Sequence, residues 1–284
     1  MLVRPIVKFL LFVAVFPLTS CSGVDVLNAT VPDSGYTLVE DIDYGPDPRQ
    51  KLDLYLPTQP TDDSQVIVFV YGGAWRMGEK SDYEFIGQAL SSAGHTVIVP
   101  DYRLYPEVVF PDFVTDIVLA IESVESASDS NDSVPTIDTS NVVLMGHSSG
   151  AHSVALIAAD PRYLADTDTS VKALIGLAGP YDLPIELEEV APVFASATDP
   201  DLTNPLKLAT DTHPQTLLIH GTDDERVEPR HTRRYFDVLQ SLDVDSRMLM
   251  VDGASHASVI AVVADPLQST SEVAPAILAF LDEI

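Results

Sequence analysis

The sequence predicts an α/β fold built on a mostly parallel, doubly wound sheet. Three observations carry this. Short apolar runs alternate with longer stretches of helical period, Gly or Pro bounds most of those runs, and the residues able to do chemistry stand just past their ends. Tyr36 to Tyr44 and Lys51 to Leu56 flank the turn former Gly45-Pro46-Asp47-Pro48 and read as an antiparallel hairpin. The apolar runs follow at Val66 to Tyr71, Thr96 to Val99, Val142 to Met145, Ala173 to Leu177, Thr216 to Ile219 and Met248 to Val251. Helical periods fall between them at Tyr83 to Ala93, Phe113 to Val124, Ser149 to Ala159, Arg230 to Leu242 and Val273 to Leu281. A sheet of this kind is covered on both faces.

Two stretches break the alternation. Ser126 to Ser140 is rich in Ser and Asp without an apolar period and is expected to be an exposed loop. Pro180 to Pro214 is studded with Pro and is expected to form short helices or loops over the carboxyl edge, a small cap insertion. The 284 residues, 46% hydrophobic, can bury one large core, and neither repeat nor linker divides them. Residues 36–284 therefore read as a single domain.

The first residues stand apart. Arg4 and Lys8 precede the apolar run Phe9 to Phe16 and then Leu18-Thr19-Ser20-Cys21, the three regions of an export signal over residues 1–20. The run is too short to span a bilayer. The segment resembles a bacterial lipoprotein signal, which implies acylation at Cys21, a tether over 21–35, and an exported protein held in the bacterial cell envelope through its lipid alone.

Composition narrows the chemistry. A formal charge of -28, with 43 acidic side chains against 15 Lys and Arg, repels polyanions and excludes nucleic acid as a partner. A single Cys excludes an internal disulfide and a thiolate metal cluster. No metal site or cofactor is expected, and the sequence sets no oligomeric state.

Gly146-His147-Ser148-Ser149-Gly150 joins an apolar strand to a helical run. A Ser on so sharp a turn needs small neighbours, and the turn lifts its hydroxyl out at the carboxyl edge of the sheet. The helix beginning there offers backbone N–H groups to a developing oxyanion. A serine nucleophile needs a base and an orienting acid later in the chain, in the order acid then His. The strand ending at Ile219 delivers Asp223 and Asp224, and the strand ending at Val251 is followed by His256. Spacing from His220-Gly221 favours Asp224 over Asp223. Asp182, after Gly179-Pro180-Tyr181, reads as a turn or helix cap. Tyr71-Gly72-Gly73-Ala74-Trp75 closes an earlier strand, so the N–H groups of Gly73 and Ala74, with that of Ser149, are expected to form an oxyanion hole. Tyr71, Trp75 and His147 are expected to line the substrate pocket, whereas His152 is expected to pack on its helix.

Together these motifs resemble an alpha/beta-hydrolase of the esterase/lipase kind. The succession YGGAWRMGEKSDY, VPDYRLYPEVVFPDFVTDI, GHSSGAH and HGTDDERV is similar to that of the hormone-sensitive-lipase-like and kynurenine formamidase-like esterases. The resemblance implies a triad of Ser148, Asp224 and His256, and a supporting role for Asp101 to Pro106 beneath the site. It departs at Tyr71, where the family pattern has His before Gly-Gly. The expected function is a serine carboxylesterase acting on short-acyl esters of small molecules through an acyl-enzyme. An amide or formamide hydrolase, or a non-catalytic surface lipoprotein on the same scaffold, are the alternatives.

Overall fold

A computed structural model describes residues 23–130 and 134–284; the signal segment and Cys21 lie outside the described residues. Eight strands form one sheet: β1 (Tyr36–Asp43), β2 (Lys51–Pro57), β3 (Val66–Val70), β4 (Thr96–Pro100), β5 (Asn141–His147), β6 (Ser170–Leu177), β7 (Gln215–Gly221) and β8 (Ser246–Val251). Their spatial order is β1-β2-β4-β3-β5-β6-β7-β8. The hairpin pairs antiparallel, and β2 lies antiparallel to β4; all remaining pairs are parallel.

Every strand and long helix expected from the apolar pattern is present. The helices are α1 (Gly23–Asn28), α2 (Glu84–Ser92), α3 (Asp112–Ser130), α4 (Ser149–Ala159), the single turn α5 (Pro205–Leu208), α6 (Arg230–Ser241), the single turn α7 (Ser258–Ala261) and α8 (Val273–Glu283). No helix among the described residues is long and apolar enough to cross a membrane. Val142 to Met145 and Ile67 to Val70 are wholly buried, which is why these strands show apolar runs in place of an alternation. Helix α4 is buried almost all round because the 180–214 segment packs on its outer side, where Nε2 of His152 lies 2.9 Å from the Thr203 carbonyl.

Two expectations need amendment. The stretch expected to be a loop from Ser126 is helical up to Ser130, since α3 continues and buries Ala127 against the core. The stretch expected to be a tether contains α1, and the Asn28 side chain stitches it down. Nδ2 of Asn28 donates to the Ser81 carbonyl at 2.7 Å, while its Oδ1 accepts from the Phe85 N–H at 3.3 Å and so caps the start of α2 from a distance.

The sheet order places the site. From β3 the chain passes to β4 on one side, then crosses to β5 on the other, so the loops leaving β3 and β5 diverge. A crevice opens at such a switch point.

Candidate active site

Ser148 sits between β5 and α4 with φ +55 and ψ -123, a conformation that costs energy for any residue with a side chain. Its N–H donates to the Leu177 carbonyl at 2.9 Å, and its own carbonyl accepts from the His152 N–H at 3.2 Å, so strand pairing runs up to the residue and the helix starts from it. The glycines on either side make room for the turn. A Cβ on Gly146 would fall 2.6 Å from the Gly150 carbonyl carbon, and one on Gly150 would collide with the Val70 carbonyl.

The loop after β7 and the loop after β8 are sewn together. The Asp223 N–H donates to the Ala254 carbonyl at 3.1 Å, and the Gly253 N–H to Thr222 Oγ1 at 2.8 Å. This stitching brings Nε2 of His256 to 2.9 Å from Ser148 Oγ, and Nδ1 of His256 to 2.7 Å from Asp224 Oδ2. Asp224 is the partner and Asp223 is exposed, as the spacing favoured. The N–H groups of Arg226 and Val227 donate to Asp224 Oδ1 at 2.9 Å each. Burial alone would raise the Asp224 pKa; hydrogen bonds from His220, His256 and the Val227 N–H outweigh it and hold the carboxyl well below its usual range.

His220 was not singled out in the sequence. Its Nε2 lies 3.1 Å from Asp224 Oδ2, and its Nδ1 is 2.6 Å from Thr232 Oγ1. A polar residue closing an apolar strand was the available signal. His147 lines the cleft as expected, and its Nε2–H donates to the His256 carbonyl at 3.0 Å. Burial first, then the neighbouring His256, pushes the pKa of His147 down to about 3, so its ring is neutral.

The loop after β3 presses against Ser148: a Cβ on Gly72 would lie 2.8 Å from Ser148 Cβ. Gly73, Ala74 and Trp75 all have positive φ. The N–H groups of Gly73, Ala74 and Ser149 have no protein acceptor among the described residues, which leaves them available to a ligand. Trp75 lines the cleft and is held by an Nε1–H bond to Ser153 Oγ at 3.1 Å. Tyr71 corrects an expectation. It is fully buried and does not line the cleft, because its ring is stacked between Tyr83 and Tyr102 and its hydroxyl points at Asp101.

A cleft of about 1270 Å³ passes over Ser148. Gly23, Val24 and Leu27 of α1 form part of one wall; Leu183, Leu187 and Val190 of the 180–214 segment form part of another. No group of three or more His, Cys, Asp or Glu side chains among the described residues could hold a metal ion.

The sequence model of the BD-FAE family matches residues 52–239, spanning β2 to α6. The chain belongs to the BD-FAE family. The chain is also similar to proteins of known name. Isoprenylcysteine alpha-carbonyl methylesterase of Arabidopsis thaliana is 29% identical over 254 residues, covering 79% of this chain and 57% of that protein. Kynurenine formamidase of Drosophila melanogaster is 26% identical over 241 residues, covering 78% and 75% of the two chains. The chain thus spans less than two thirds of the length of the methylesterase. Among solved structures, esterase B of Lactobacillus rhamnosis superposes with a TM-score of 0.73 at 16% identity, covering 92% of this chain and 90% of its own, which assigns the alpha/beta-hydrolase fold to this BD-FAE member.

Proposed function

We propose that this protein hydrolyses carboxylic esters through an acyl-enzyme formed on Ser148. The observation that carries the reading is the unbroken relay from Ser148 Oγ to His256 to Asp224, at 2.9 and 2.7 Å. Nε2 of His256 takes the hydroxyl proton as Oγ attacks the ester carbonyl carbon, and the oxyanion forms at the N–H groups of Gly73, Ala74 and Ser149. As the tetrahedral intermediate collapses, the alcohol leaves with the proton from His256. Water then repeats the sequence and releases the acid. Asp224, held anionic, stabilises the imidazolium form of His256 and fixes its ring. A neutral His147 adds no repulsion to that imidazolium.

Replacement of Ser148 by Ala should lower turnover to the level that binding and the oxyanion hole sustain, roughly three orders of magnitude below wild type or further. Retention of a tenth of the activity would remove Ser148 from the role.

A preference for short acyl groups is supported by Trp75. Its indole lies 5.0 Å from Phe194, 5.2 Å from His152 and 6.0 Å from Phe113, and its hydrogen bond to Ser153 keeps it from swinging aside to open a tunnel. Across p-nitrophenyl esters of two to sixteen carbons, kcat/KM should peak at four carbons or fewer; a maximum at ten or more would refute the preference. The formamidase relative motivates a second reading, hydrolysis of formyl amides. An ester assayed beside its matched formyl amide separates the two.

Export and acylation at Cys21 belong to the same proposal and are supported by the spacing of residues 4 to 21. Cys21→Ala should move the protein from the membrane fraction to the soluble fraction; unchanged fractionation would refute the anchor.

A further inference from the structure

Arg49 belongs to none of the elements that carry the relay. It stands in the turn between β1 and β2, on the far side of β4 and β3 from His256. Its guanidinium nevertheless reaches beneath the loop that follows β3. Nη2 donates to Tyr71 Oη at 2.8 Å and to the Gly78 carbonyl at 2.8 Å, while Nε donates to the Tyr102 carbonyl at 2.9 Å. Tyr71 and Gly78 are the two ends of the segment that contains Gly73 and Ala74. One side chain therefore joins both ends of the loop that would supply the oxyanion hole.

The rest of the arrangement converges on the same point. Tyr71 Oη donates onward to Asp101 Oδ1 at 2.6 Å, an oxygen that also accepts the Lys80 N–H at 2.8 Å. Tyr102 Oη donates to the Tyr71 carbonyl at 2.9 Å. Gly78, at φ +103, has no room for a Cβ, which would meet the Tyr71 ring at 2.9 Å. The turn that presents Arg49 is itself fixed: the Arg49 N–H donates to Asp47 Oδ1 at 2.9 Å, and buried Gln50 donates to Asp116 at 3.0 Å. Inside the loop, the Gly73 carbonyl accepts the N–H groups of Arg76 and Met77 at 3.0 and 3.2 Å, so a shift at either end is transmitted to Gly73.

We propose that Arg49 is a positioning residue for ester hydrolysis. In this role it closes the 71–78 loop from below and so sets where the Gly73 and Ala74 N–H groups stand relative to Ser148. The planar fork matters as well as the charge, because three acceptors in different directions are bonded at once and an ammonium on a flexible stem cannot reproduce that geometry. The proposal rests on the acyl-enzyme reading above. It adds that an oxyanion donor is effective only where it meets the position of the developing charge, so an error in the loop is felt in the transition state far more than in the bound ester.

The test compares wild type, Arg49→Lys and Arg49→Ala as full chains, using p-nitrophenyl acetate, a trifluoromethyl ketone as the tetrahedral mimic, and acetate as the ground-state competitor. For Arg49→Ala the expected result is a fall in kcat of about 30-fold or more with KM within about threefold. The inhibition constant of the ketone should rise by a similar factor while that of acetate is unchanged. Added guanidinium ion should restore part of kcat. Arg49→Lys should lie between the two, with its folded structure intact by circular dichroism, which keeps the test valid where the Ala variant does not fold. Unchanged kcat in Arg49→Lys and Arg49→Ala, or a loss that scales only with the fraction of protein labelled by a fluorophosphonate, would overturn the proposal. Failure of wild type to be labelled at Ser148 would instead overturn the acyl-enzyme reading.

Discussion

Nε2 of His220 stands 3.1 Å from Oδ2 of Asp224, the same oxygen that receives His256. The acid of the relay is therefore held from two sides, by an imidazole from the end of β7 and by the ring it orients. The single N–H on Nε2 is shared with the Val227 carbonyl, 2.9 Å away, so His220→Leu should cost less than the roughly 1.5–3 kcal/mol of a full hydrogen bond to a charged group and lower kcat by about three- to tenfold. The acid itself matters more. Asp224→Asn should cost about three to four orders of magnitude through the wrong His256 tautomer, whereas Asp223→Asn, at an exposed position, should cost less than twofold. Steady-state kinetics on the three variants checks the ranking, and a reversal between Asp223 and Asp224 would move the acid.

The sheet and the meeting of Ser148, His256 and Asp224 were legible because both depend on local pattern. Buried parallel strands show as apolar runs, and Ser148, Asp224 and His256 each sit a few residues past one. The contacts of Arg49 and His220 were not legible, since they reach across the fold and leave no periodic signal: Arg49 meets Gly78 across 29 residues. Tyr71 was read as a pocket residue because it adjoins Gly72-Gly73, and only the stacking of Tyr83 and Tyr102 on its ring shows that it faces inward. Helix α1 is six residues long, too short for a helical period to emerge, although Val24 and Leu27 fall on one face at i, i+3. The end of α3 was hidden by its Ser and Asp residues, which favour turns in isolation.

The turn at Ser148 should tolerate no side chain at Gly150. An added methyl would run into the Val70 carbonyl, and backbone cannot yield as a flexible side chain would. Overpacking of this kind costs about 1–3 kcal/mol or more, so Gly150→Ala should lower the midpoint of thermal unfolding by several degrees and reduce kcat together. Calorimetry beside kinetics tests this. A variant with wild-type stability would mean that α4 can move away from β3 freely.

Acid should unfold the protein through its buried histidines. Burial pushes His147 down to about 3 and both His152 and His213 down to about 4, against about 6.5 for the unfolded chain. Between those values the unfolded state binds more protons, so stability is complete above about pH 6.5 and falls as pH drops toward 4. Each group contributes about 1.4 kcal/mol per pH unit at most within the window. Denaturant midpoints measured from pH 7.5 to 4.5 should decline, and His152→Gln, which can still donate to the Thr203 carbonyl, should flatten the decline. A pH-independent midpoint would show that these rings are not held neutral.

Helix α1 makes part of one wall of the cleft. Val24 and Leu27 line the cleft while Asn28 ties the helix to Ser81 and Phe85, so a large group bound over Ser148 would rest against this helix. Leu27→Ala removes apolar surface from that wall without touching Ser148, His256 or the loop after β3. Each buried methylene is worth about 0.8 kcal/mol, and a substrate group resting on Leu27 would lose one to two of them, raising KM about four- to fifteenfold. Because this contact is the same in the ground state and the transition state, kcat should stay within twofold. The effect should depend on the substrate: esters with a bulky apolar group should show it, and p-nitrophenyl acetate should show little. Asn28→Ala, which frees the helix from its two anchors, should raise KM for the same bulky esters. Equal KM values for bulky esters in wild type, Leu27→Ala and Asn28→Ala would show that α1 borders the cleft without contacting what binds there.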